Sequence, residues 1–305
     1  MSLACVMGHG QESQTAYNFL RLPVSAHGAA LGGQNISLIE DDPSLIFSNP
    51  ALLSSVSDRT VGLNFMNYMV GANTASASYC WELKDRLMAG ASGQYMDYGK
   101  MKEVDANNVQ SGEFSAKEVA IAAYLSYNLS ERLVGGISAK WVSSYIADYN
   151  SIAMCVDLGL NYFDPDHDLS VSAVAKNLGG QLKAFDEEYE RLPFDLQAGV
   201  TKRLQGAPLR LSVTLQDLTH WDYKFIEHLS VGAELLLSSQ IWVGGGMNFR
   251  QSNQMKVTDG EHESSHGAGL TLGTGVTLDR FKLSLSYGKY DVSSSSVMVN
   301  AAFNI

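Results

Sequence analysis

The sequence predicts an all-β fold, a transmembrane antiparallel β-barrel of about 14 strands with an N-terminal plug in its lumen. Three observations predict it. Beyond residue 58, apolar residues alternate with small or polar ones at the strand period of two, and no amphipathic helix interrupts the series. Connections between these segments alternate short and long. The second face of the strands carries Gly, Ser, Thr, Asn and Ala, where a water-facing sheet would carry Lys, Glu, Arg and Asp.

The chain divides into three parts. Residues 1–10 read as a signal remnant or cloning scar: their small residues suit the end of a secretory signal, but they lack a basic start and a full apolar core. Without that core, Ser2-Leu3-Ala4-Cys5 does not make a lipoprotein acylation box. Residues 11–58 read as a hatch or plug. Tyr17 to Leu22 is short and helical or irregular, and Ala26 to Gln34 is rich in Ala and Gly. Then Asp42-Pro43 and Asn49-Pro50 mark two turns that cannot continue a strand. A 14-strand barrel leaves a lumen for such a segment, by the size relation for barrels, at roughly that strand number.

Residues 59–305 read as the barrel. Candidate strands fall near 60–68, 74–83, 86–98, 115–128, 131–145, 150–163, 168–177, 193–203, 208–216, 227–237, 240–250, 264–277, 280–290 and 296–305. Leu209, Leu211, Val213 and Leu215, for example, alternate with Arg210, Ser212, Thr214 and Gln216. Most candidates reach the roughly 9–11 residues that cross the hydrocarbon when tilted. Short turns fall at 84–85, 129–130, 164–167, 204–207, 238–239 and 278–279, and longer loops at 99–114, 178–192, 217–225 and 251–263. Short periplasmic turns and long outer loops are the pattern of bacterial outer-membrane barrels, so both chain ends are expected in the periplasm. Tyr68, Tyr79, Trp81, Tyr95, Tyr98, Tyr127, Trp141, Tyr145, Tyr162, Phe163 and Tyr287 are candidates for the interfacial aromatic girdles. The last strand stays apolar to its end, with Phe303 and Ile305 on one face.

Composition excludes other classes. Charged residues make up 17% of the chain, against about 25% for a soluble domain. The longest apolar run, Val119 to Leu125, is far too short for a spanning helix. A net charge of -11 excludes a nucleic-acid partner, which requires a basic surface. Cys5, Cys80 and Cys155 show no metal or redox spacing and read as small buried apolar side chains.

Within the hatch, Asp42-Pro43-Ser44 followed by Asn49-Pro50-Ala51 resembles the hatch of FadL-type outer-membrane barrels, which have an N-terminal plug ending in an Asn-Pro-Ala turn. The stretches Thr15 to Leu20 and Leu31 to Asn35, with the run on to Leu53, are further similar to the PorQ-like barrels associated with the type IX secretion system of Bacteroidetes. That resemblance covers the hatch specifically and the barrel only generally. It implies an accessory or scaffold component of a secretion and cell-surface attachment complex in the outer membrane. The implied partners are outer-membrane lipids, other secretion-complex proteins including a surface β-propeller-bearing subunit, and lipopolysaccharide. Other FadL relatives carry hydrophobic small molecules through the wall, which is the alternative. A continuous apolar pocket and a wall opening at a kinked strand would favour transport, and a sealed plug the scaffold.

No enzyme, cofactor or metal is expected. His262 and His266 sit four apart beside Glu261 and Glu263, but Asp259 to Glu263 reads as a polar loop and not as a helix. Asp186 to Glu190 reads as a solvated acidic loop rather than a calcium site. No nucleophile elbow is present, and seven scattered His residues suggest no catalytic cluster. Gly244-Gly245-Gly246 lies within strand pattern and suits close packing or bending; a phosphate loop would need a following helix.

Overall fold

The computed structural model describes residues 15–104, 110–254, 257–259, 262–264, 267–290 and 294–305. Fourteen antiparallel strands close into one barrel. They are β1 (Thr60–Asn67), β2 (Asn73–Lys84), β3 (Leu87–Val104), β4 (Gln110–Asn128), β5 (Leu133–Ile146), β6 (Tyr149–Asp164) and β7 (Leu169–Lys183), then β8 (Asp195–Arg203), β9 (Leu209–Leu215), β10 (Leu229–Leu236), β11 (Ile241–Asn248), β12 (Leu270–Thr277), β13 (Phe281–Gly288) and β14 (Ser296–Asn304). Closure is made by β1, which pairs with both β2 (Thr60 opposite Cys80) and β14 (Thr60 opposite Asn304). Closing the sheet leaves no edge, the condition for strands surrounded by hydrocarbon.

The period-two pattern sorts side chains by face. Leu63, Ile121, Leu125, Leu158, Leu211 and Leu272 stand exposed outside, while Ser78, Gln94, Ser138, Asn161, Thr214 and Asn300 are buried inside. Apolar out and polar in is the inverse of a soluble protein and is the arrangement of a membrane barrel. Two aromatic rings frame the apolar exterior. Tyr79, Tyr127, Tyr162, Phe281 and Phe303 lie toward the short-turn end, and Tyr95, Tyr145, Tyr149 and Tyr287 toward the loop end. Three predicted girdle residues face inward instead. Tyr98 donates to Glu118 at 2.5 Å, Tyr68 packs on Tyr290, and Phe163 lines a cavity at the short-turn end. Aromatic identity alone does not report the face; parity along the strand does.

Strand 264–277 begins only at Leu270, because Gly267 and Gly269 take left-handed φ values of 81° and 87° that break the extended run. Before it, the predicted 251–263 loop holds the end of a short helix, α2 (Phe249–Gln254), and two three-residue strands, Val257–Asp259 and His262–Ser264. His262 is therefore extended, not helical, and His266 lies outside the described residues. Among the described residues no cluster of three or more His, Cys, Asp or Glu is placed to hold a metal ion.

Residues 15–59 run through the lumen. Their first residues sit at the loop end: Thr15 forms a parallel bridge with Arg191, and the Tyr17 hydroxyl meets Ser151 near the β5–β6 hairpin. The segment then descends to β1 at the short-turn end, where Ile305 N–H donates to Arg59 O. Of the two chain ends expected on the periplasmic side, Ile305 lies at the short-turn end, and the N-terminal end, residues 1–14, lies outside the described residues. Loop lengths orient the strands but say nothing about the direction in which a luminal segment is threaded.

Candidate functional site

The two Asx-Pro turns of the luminal segment are built alike. Asp42 accepts from Ser44 N–H at 2.9 Å and Ser44 Oγ at 2.6 Å, with Pro43 opening a short 3-10 turn over Pro43–Phe47. Asn49 accepts from Ala51 N–H at 2.9 Å, with Pro50 opening a second turn over Pro50–Ser55. Proline fits the first position because its missing N–H would be unpaired there, and the Asx side chain caps the next donor. Asn49 Nδ2 also donates to Ile36 O at 2.9 Å, tying the turn back to its own segment.

Both turns seat directly on inward-facing glycines. A Cβ at Gly136 would lie 2.3 Å from Ala51 N, at Gly159 2.1 Å from Asn49 Oδ1, and at Gly62 2.7 Å from Pro43 Cγ. Farther round, helix α1 (Ala26–Ala30), capped by Ser25 on Gly28 N–H, leads to Leu31 and Gly32. These rest on Gly232, Gly244 and Gly246. In the glycine run of β11, Gly244 and Gly246 seat Leu31 and Gly32 while Gly245 faces Leu272 on the other side, which bears out its reading as close packing. Among the described residues, seven of the twelve largest fully buried side chains belong to this segment: Phe19, Ile36, Leu38, Leu45, Ile46, Leu52 and Leu53. Each contributes about 1.5–3 kcal/mol of apolar burial.

Charged and hydrogen-bonding side chains join the segment to the wall. His27 Nε2 lies 2.5 Å from Glu234 Oε2 while its ring stacks on Trp242 at 3.7 Å. Glu234 also accepts from Arg210, whose other arm reaches Glu40 at 2.6 Å. Asp41 accepts from Lys282 at 2.5 Å and from Ser57. Burial would raise the Asp41 carboxyl, but the Lys282 ammonium and the Ser57 donors outweigh it and hold the group below the usual carboxylate range. At the loop end Asp217 binds Arg21 at 2.7 Å and also Arg250, which lies under the Tyr223 ring. Burial and the nearby Arg21 draw the Arg250 guanidinium down to about 10, which leaves it charged at neutral pH.

Between β7 and β8 the wall is incomplete. β8 pairs with β7 only from Leu169 to Lys176, while β7 continues to Lys183 paired with β6 alone. A bulge sets Lys176 and Asn177 against Asp157, with Asn177 at φ 59°. Asp157 accepts from Asn177 N–H at 2.8 Å and pairs with Lys140 at 2.5 Å. The seam above the bulge is bridged by the 184–194 loop and by the luminal segment itself, where Ala16 N–H donates to Arg191 O at 3.0 Å. Two cavities accompany this arrangement. One of about 20 Å³, room for a single water, lies among Leu20, Phe47, Gln94, Tyr124 and Lys140. The other, about 580 Å³, opens at the short-turn end between Glu40, Phe163, Thr201, Arg203 and Arg210.

The sequence singled out Asp42, Pro43, Ser44, Asn49, Pro50 and Ala51; the structure sets Pro43, Asn49, Pro50 and Ala51 against inward-facing wall glycines, while Asp42 and Ser44 bond each other within the luminal segment. It passed over Lys140, Asp157, Arg210, Glu234 and Lys282. Their signal was a charge at an inward position on strands otherwise lined by Ser and Gly.

No protein-family model and no curated protein sequence matches the chain. Solved structures do. A FadL homologue of Pseudomonas aeruginosa superposes with a TM-score of 0.59 at 10% identity, covering 92% of this chain and 98% of that one. The toluene transporter TodX of Pseudomonas putida gives 0.57 at 15%, covering 92% and 97%. CymD, a monoaromatic hydrocarbon channel, gives 0.59 at 11%, covering 93% and 98%. At these identities the likeness shows the fold alone, and the fold is that of the FadL-type outer-membrane barrels.

Proposed function

We propose that the chain is a non-enzymatic outer-membrane barrel that passes small hydrophobic molecules through its wall, with residues 15–59 as its plug. The observation that carries this reading is the β7–β8 seam, closed above Lys176 and Asp195 by loop and plug residues in place of strand pairing. A small displacement of Thr15 to Tyr17 would open this seam to the lipid beside it. Similarity to a toluene transporter and a monoaromatic hydrocarbon channel supports the same reading. Uptake of a labelled monoaromatic hydrocarbon by proteoliposomes tests it. Entry is expected to be faster with the barrel than with empty vesicles, and equal rates would refute passage.

A second reading, an accessory scaffold of the type IX secretion and cell-surface attachment complex, is favoured by the hatch run and by the number of plug side chains buried against the inner wall. Its partners would be secretion-complex proteins, including a surface β-propeller-bearing subunit, and lipopolysaccharide. A mild-detergent pull-down from native outer membranes separates the two. Secretion proteins in fixed proportion support the scaffold, and a lone barrel carrying hydrophobic compounds supports passage.

A further inference from the structure

The barrel wall is not of even height. At about 3.3 Å per residue and a tilt near 40°, a 16-residue strand such as β6 rises roughly 40 Å. The seven residues of β9 rise only roughly 18 Å. The apolar band of an outer-membrane barrel is about 25 Å tall. At the short-turn end the low flank is flush with its neighbours, since Leu169 pairs with both Asp164 and Lys202. The shortfall therefore falls at the loop end; it is shared by β1 and β8 to β14, of seven to nine residues each, and is greatest above β9.

The β9–β10 loop occupies that place. Leu218 N–H donates to Leu196 O, which runs the loop along the top of β8 beside the outward-facing Leu196. Polar and aromatic groups on the lumen side are spoken for: His228 contacts Gln216 O, Tyr223 meets Arg250, and Asp217 holds both arginines. Trp221, Phe225 and Ile226 remain, 91%, 72% and 49% exposed, an unusual display of large apolar side chains on one loop. They lie on the loop that follows β9, whose outward face carries the exposed Leu211 and Val213.

We infer that the β9–β10 loop is a membrane anchor: Trp221, Phe225 and Ile226 lie in the outer-leaflet interface and complete the lipid-facing band where the strands are too short. Trp belongs at that depth because its ring is apolar and its N–H needs a wet neighbour. Lys224, between them, reaches toward the headgroups on its long stem.

The test uses the full chain in vesicles of phosphatidylcholine brominated either near the headgroup or near the chain end. Subtracting the emission of W221F from that of the wild type isolates Trp221. Heat-dependent gel mobility checks that the variant barrel is folded, as expected for a substitution on a loop surface. Trp221 is expected to be blue-shifted, shielded from aqueous iodide, and to lose most of its emission to the headgroup-proximal bromines. Emission that is red-shifted, quenched by iodide and indifferent to both bromolipids would overturn the anchor. A Trp221 that is wet in vesicles yet shielded in native outer membranes would also overturn it, and would assign the patch to a protein partner.

Discussion

Replacing Glu234 with Ala should loosen the plug without unfolding the wall. Glu234 is 1% exposed and is the shared acceptor of His27, from the plug, and Arg210, from β9. The substitution leaves the His27 ring buried against Trp242 with its Nε2 facing no acceptor, while Arg210 keeps Glu40. Removing one member of a buried pair costs about 3–5 kcal/mol. Because Arg210 retains a partner, the low end applies, about 3 kcal/mol. At about 1.4 kcal/mol per decade this raises the open fraction of the α1 region by roughly two orders of magnitude. Hydrogen exchange read by mass spectrometry on the folded barrel in detergent measures it, since amides such as Ala29 and Gly33 exchange only when α1 opens. Peptides covering residues 26–40 should exchange roughly 100-fold faster, with β3 to β7 unchanged. E234Q, which keeps the shape and one acceptor oxygen, should fall between. Wild-type exchange in E234A would show that the pair does not hold the plug. Equal acceleration in the wall would show that it supports the barrel as a whole.

Other perturbations address other parts of the structure. The depressed Asp41 carboxyl contributes stability that is full above the ordinary carboxylate range and is lost as pH falls through the depressed value, so exchange around Ser57 should rise on acidification. In D41N that rise should be absent. G136A pushes a methyl into the Pro50–Ala51 backbone, which cannot yield, and should cost about 1–3 kcal/mol as a lower temperature of heat-modified mobility. G93A, with open space at its Cβ, should leave that temperature unchanged. I121R places a charge at mid-height on the lipid face and should cost about 2–4 kcal/mol in refolding titrations into vesicles.

Much of this fold was legible because a membrane barrel has a simple code. Alternation fixed which residues of β5, β9 and β13 face lipid, and a closed antiparallel meander follows once every turn is short or long in sequence. Strand ends were less legible. β7 reads as ending near Asn177, where a bulge turns the backbone, yet pairing resumes with β6 up to Lys183. The short rise of β9 and β10 was less legible, since the predicted 208–216 and 227–237 run one or two residues past the paired Leu209–Leu215 and Leu229–Leu236. The Asx-Pro turns announced themselves by local chemistry. The plug-to-wall contacts did not, because His27 and Glu234 are 207 residues apart in sequence and nothing local links them.

A disulfide across the seam tests the proposed gate most directly. Thr15 and Arg191 are bridge partners, close enough in backbone position for T15C and R191C to be joined, with Cys5 replaced by Ser to prevent side pairing. Proteoliposomes carrying the oxidised variant should take up a monoaromatic hydrocarbon no faster than empty vesicles, and reduction should restore the wild-type rate. Uptake that is the same before and after reduction, in a variant shown to be fully cross-linked, would contradict a gate at this seam.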